Sequence, residues 1–77
     1  MDSAAAWSSL ADLLSSFQAI AEDGAVALIK IDGERITQRY TVVVTGPKIR
    51  ECPFRMDGDN LRELLEEAIA FYADHRS

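Results

Sequence analysis

The sequence predicts an α+β domain of α-β-β-β-α order, a three-stranded antiparallel meander with two helices on one face. Three observations carry this. Apolar residues recur at the helical period near both ends of the chain. The middle is dense in β-branched residues, which favour strands. Turn residues punctuate that middle at Asp32-Gly33, Gly46-Pro47 and Asp57-Gly58-Asp59.

The first helix is expected over 7–22. Trp7, Leu10, Leu13, Leu14, Phe17 and Ile20 share a stripe, with Asp12, Ser15, Ser16 and Gln18 elsewhere on the wheel. Ser3 suits the N-cap of a helix starting near residue 4, and Ser9 with Asp12 resembles a capping box for a later start. Asp23-Gly24 ends it, because glycine accepts the left-handed backbone after a helix. Residues 25–31 read as the first strand. Asp32-Gly33 tolerates the positive φ of tight hairpin turns, and 35–45 follows as the second strand. After Gly46-Pro47 a weaker third strand spans 49–56; Pro53 cannot donate to a ladder, which puts that strand at an edge. The last helix, 60–74, aligns Leu61, Leu64, Leu65, Ala68, Ile69 and Tyr72 opposite Arg62, Glu63, Glu66, Glu67 and Asp74.

Strand parity assigns the two faces of the sheet. A two-residue Asp-Gly turn or a four-residue Asp-Gly-Glu-Arg turn puts Ala27, Ile29 and Ile31 on the same side as Ile36, Tyr40, Val42 and Val44. Cys52, Phe54 and Met56 join them, and the helices cover this side. The expected core is Leu10, Leu13, Leu14, Phe17, Ile29, Tyr40, Val42, Phe54, Leu61, Leu65 and Ile69. The other side carries Val26, Leu28, Lys30, Arg35, Thr37, Arg39, Thr41, Val43 and Arg55.

Seventy-seven residues make one domain, 1–77, with 1–5 at a fraying end. So small a core needs support, usually a disulfide, a metal or association. One cysteine cannot form an internal disulfide, and one cysteine with one histidine cannot make a structural zinc site. Association is the support left. The lone Cys52, the acidic Met1-Asp2-Ser3 start and the lack of a long apolar run point to a cytoplasmic protein with no membrane contact. The net charge of −5 is uneven: residues 30–55 hold six basic and three acidic side chains, while the rest hold two basic and ten acidic.

The motifs that suggest chemistry have simpler readings. Asp57-Gly58-Asp59-Asn60 lacks the glycine and the terminal glutamate of a calcium loop, having Arg62 and Ala68 there, and reads as a turn with Asp59 as N-cap. Glu63, Glu66 and Glu67 fall on the polar side of a surface helix. His75 lies near the helix C-terminus, where it complements the dipole, and no orienting partner is evident. Cys52 alternates with Phe54 and Met56, which predicts a buried, slowly reacting thiol; Lys48 and Arg50 beside it favour the opposite. The glycines occupy predicted turns rather than a phosphate loop. No catalytic group, metal, cofactor or small-molecule substrate is expected.

The α-β-β-β-α order resembles, in topology, that of double-stranded-RNA-binding domains, which grip phosphates with basic residues at the start of the second helix. Here that segment is Asp57-Gly58-Asp59-Asn60-Leu61-Arg62-Glu63, whose acids repel phosphate. A basic sheet face is the alternative route to nucleic acid, but parity turns Tyr40 and Phe54 inward and leaves it no stacking platform. The expectation is a non-enzymatic protein-interaction module, an adaptor or an inhibitor of antitoxin or immunity type, with nucleic-acid binding as the alternative. The expected binding surface is Val26, Leu28 and Val43 ringed by Lys30, Arg35, Arg39 and Arg55, suited to an acidic partner or a second copy. The first strand is also a candidate free edge.

Overall fold

A computed structural model describes residues 7–50 and 52–76. Among these lie helix α1 (Ala11–Glu22), strands β1 (Val26–Ile31), β2 (Tyr40–Thr45) and β3 (Phe54–Gly58), and helix α2 (Leu61–His75), with a 3-10 turn at Pro47–Ile49. The strands form one antiparallel sheet of order β1-β2-β3. Both helices pack on the same face, α1 against β1 and α2 against β2 and β3. The expected α+β meander is therefore the observed one.

Several boundaries differ from expectation, each for a local reason. Trp7 and Ser8 are helical, but Ser9 and Leu10 form a turn that separates them from α1. Leu10 holds the N-cap position with no side-chain cap, so the Ser9–Asp12 capping box is not used. The Ser9 carbonyl accepts from the Arg62 guanidinium, which ties this turn to α2. Ser3, the other cap candidate, lies outside the described residues. At the far end α1 stops as expected, with Gly24 at φ +103°.

The β1–β2 connection is longer than either expected turn. A turn does form at Asp32, whose carboxylate accepts from the Glu34 N–H (2.9 Å) as an Asx turn. Pairing resumes only at Arg39, however, so 35–39 are not strand residues. Gln38 adopts a left-handed backbone (φ 52°), and its N–H donates to Asp59 (2.6 Å), pinning the loop to the start of α2. Asp59 is thus not the N-cap; Asn60 is, accepting from the Glu63 N–H. Because residues 32–39 are even in number, strand parity survives: Ile29 faces Val42 and Ala27 faces Val44. Ile36, expected inside, is 93% exposed on the loop.

The third strand begins at Phe54, directly after Pro53, rather than at 49. Pro47 opens the 3-10 turn, which buries Ile49. Gly46 is required there, since a Cβ would stand 2.9 Å from the Ala25 backbone. Cys52, expected to be buried, lies before the strand and is exposed. Met56 faces the helix side, opposite Val42, yet stays exposed at the sheet margin.

The core between helices and sheet contains Leu10, Phe17, Ile20, Val42, Val44, Phe54, Leu61, Leu64, Leu65, Ala68 and Tyr72. Leu13, Leu14, Ile29, Tyr40 and Ile69 are only half-buried against it. Asp23 fastens its base, accepting from Lys48 (2.8 Å), the Tyr72 hydroxyl (2.8 Å) and Arg76 (3.0 Å). At the end of α2, His75 stacks on Phe71 (4.0 Å between centroids) and its Nδ1 lies 2.9 Å from the Phe71 carbonyl oxygen.

Candidate interaction surface

The helices cover Val42, Val44 and Phe54, so alternation leaves the next residues of each strand on an open face. Three cross-strand rows make it up: Val26 with Thr45; Leu28 with Val43 and Arg55; Lys30 with Thr41 and Asp57. Val26 is 58% exposed, Leu28 44% exposed and Val43 half-buried. The expected apolar centre is therefore present and contiguous, since Leu28 pairs directly with Val43 and Val26 is its same-face neighbour on β1.

The cations do not ring it. Lys30, Arg35 and Arg39 gather at the loop end, Arg55 flanks Val43, and the Val26–Thr45 end carries none. Nor are they free. Lys30 and Arg35 pair with Asp32 (3.7 and 3.4 Å), while Arg35 and Arg55 pair with Asp57 (3.8 and 3.9 Å). Arg39 Nε donates to the Asp32 carbonyl (3.3 Å). The Thr41 hydroxyl donates to Asp57 (2.5 Å), and Thr41 is only 4% exposed although no helix covers it.

Both carboxylates titrate below the usual aspartate range. For Asp57 the main cause is the Thr41 hydroxyl, followed by Arg55, Arg35 and Lys30. For Asp32 it is the Glu34 N–H, followed by Lys30 and Arg35. Both are ionised at neutral pH and halve the positive charge of this end. The sequence reading missed them because Asp32 reads as a turn residue and Asp57 as part of a helix start; only the β2–β3 register sets Asp57 beside Thr41.

Elsewhere Glu63, Glu66 and Glu67 are exposed on α2. Among the described residues, no three His, Cys, Asp or Glu side chains are grouped to hold a metal ion, and no helix is long and apolar enough to cross a membrane. Comparison with protein-family models, curated proteins and solved structures finds no match to this chain.

Proposed function

We propose that the protein is a non-enzymatic interaction module, of adaptor or inhibitor kind, that binds another protein through the open face of its sheet. The observation that carries this is the exposure of Val26 and Leu28 beside Val43 on the face the helices leave uncovered. Scattered exposed aliphatics are ordinary, but a contiguous group on neighbouring strands is the pattern of a contact site. The polar end, with Arg39 and Arg55 outermost, supplies a charged rim for an acidic group on the partner. A cytoplasmic setting fits the exposed, unpaired Cys52, since a reducing compartment keeps such a thiol free.

Val43→Glu tests the reading. It adds a charge at the centre of the face while leaving the helix-side core untouched. The far-UV circular dichroism and melting midpoint are expected to stay close to wild type, while a protein copurifying with the wild-type chain is lost. Capture that survives both Val43→Glu and Val26→Glu refutes the role of this face. An unfolded Val43→Glu variant refutes the assignment of the two faces.

A further inference from the structure

The sheet has two edges of different character. β3 starts directly after Pro53 and carries Arg55 and Asp57, the proline and charges that usually protect an edge. β1 has neither proline nor bulge: its six residues pair with β2 without interruption, and Lys30, near the loop end beside Asp32, is its sole charge. No described strand lies beyond β1.

The ladder fixes which backbone groups that edge presents. The Asp32 N–H donates to the Arg39 carbonyl directly opposite (2.7 Å), so 32–39 is a hydrogen-bonded pair. Alternation then makes 30–41, 28–43 and 26–45 the bonded pairs, leaving N–H and C=O of Ala27, Ile29 and Ile31 aimed away from β2. Ile31 is also 54% exposed.

We propose that β1 is a dimerisation edge, pairing antiparallel with β1 of a second copy about a two-fold axis at Leu28. Any axis placed on a residue keeps the outward groups in phase, and the two nearest the centre of β1 lie at Leu28 and Ile29. The axis at Ile29 sets Lys30 opposite the second copy's Leu28, about 7 Å along the strand from its counterpart lysine. The axis at Leu28 doubles that separation to about 14 Å, beyond the screening length of roughly 10 Å at moderate salt. It also sets small Ala27 against large Ile29 in both halves and brings the exposed Leu28 side chains together on the open face. The strand is thus complementary to itself in hydrogen-bond phase and size and keeps its like charges apart, which selects a second copy as occupant. The product is a six-stranded sheet whose two open faces join, and the association supports a chain too small to be strongly stable alone. This inference does not depend on the binding role of the open face.

Light scattering of the full chain over a dilution series is expected to give twice the 8.5 kDa chain mass, falling on dilution. Ala27→Pro removes an N–H that points away from β2, and Leu28→Lys sets two ammonium groups opposite each other at the axis. Each is expected to keep the wild-type circular dichroism and lower the mass to 8.5 kDa; should the proline variant not fold, Leu28→Lys carries the test. In a Cys52→Ser background, Leu28→Cys should cross-link under mild oxidation, because Cα atoms of a directly opposed non-bonded pair stand about 4.5 Å apart. Val26→Cys, about 14 Å from its counterpart, should not. A mass of 8.5 kDa at every concentration overturns the proposal, as does a dimer that Leu28→Lys leaves intact. Cross-linking at Ile29→Cys but not at Leu28→Cys overturns the axis. Val43 lies on the central strand, so Val43→Glu leaves the dimer mass unchanged, and Ala27→Pro leaves the open face's side chains in place. Failure of either reading is therefore visible without the other.

Discussion

Leu65 is the most informative single position in the core. It lies in the second turn of α2, is fully buried, and belongs to the helix layer that packs on β2 and β3. Leu65→Ala removes three carbons from water-free surroundings, about 2.4 kcal/mol at roughly 0.8 kcal/mol per group. The space left behind adds a cavity cost, and buried Leu→Ala substitutions span about 2–5 kcal/mol in total. Leu65 is wholly enclosed, and α2 is held just before its start by Asp59 with Gln38 and near its end by Tyr72 with Asp23, so the site has little freedom to collapse, and the upper half of that range is expected. A domain of this size has about 4–12 kcal/mol of stability. For 60–100 residues, each kcal/mol lowers the melting midpoint by about 4–8 °C, which for about 3.5 kcal/mol or more predicts a fall of at least about 14 °C. Thermal and urea unfolding followed by far-UV circular dichroism measure it. A midpoint within about 4 °C of wild type would show that α2 does not pack on the sheet as described.

Three further outcomes follow from named contacts. Cys52 is exposed, so its rate with a thiol reagent should be nearly the same in the folded and urea-unfolded protein; strong protection in the folded state would contradict its position. Asp23 titrates low because it accepts from Lys48 and Tyr72 and faces Arg76. Its stabilising effect is therefore present above the ordinary aspartate range and lost as pH falls through its depressed value, so the wild-type midpoint should drop in acid below about pH 4. Asp23→Asn should lower the midpoint at pH 7 and reduce that acid dependence, and an unchanged acid slope would exclude the contact. Asn60→Ala should cost about 1 kcal/mol through loss of the α2 cap, whereas Asp59→Ala should instead loosen the 32–39 loop, read as faster amide exchange at Gln38.

Local pattern carried a good deal of this molecule. The period of Leu61, Leu64, Leu65, Ala68 and Tyr72 identified the buried stripe of α2, because a helix presents one stripe whatever it packs against. The β-branched run at 41–44 and the apolar alternation of β1 identified paired strands and assigned the faces. That assignment survived a wrong loop length, since only the evenness of the connection enters it, and so Val26, Leu28 and Val43 were legible as an open-face group.

Sequence alone could determine element order, stripe and parity, all of which depend on spacing along the chain. Tertiary structure decided whatever depends on partners remote in sequence. Asp57 lies sixteen residues beyond Thr41, yet the β2–β3 register joins them and draws in Arg35 and Arg55, turning an expected cationic ring into a half-neutralised polar end. Asp59 left its expected capping place for a backbone group 21 residues away. Cys52 left the core because its strand begins only after Pro53. Propensity and parity are properties of single residues and their neighbours, whereas charge pairing and exposure are properties of which segments meet, and those are settled only when the sheet closes on its helices.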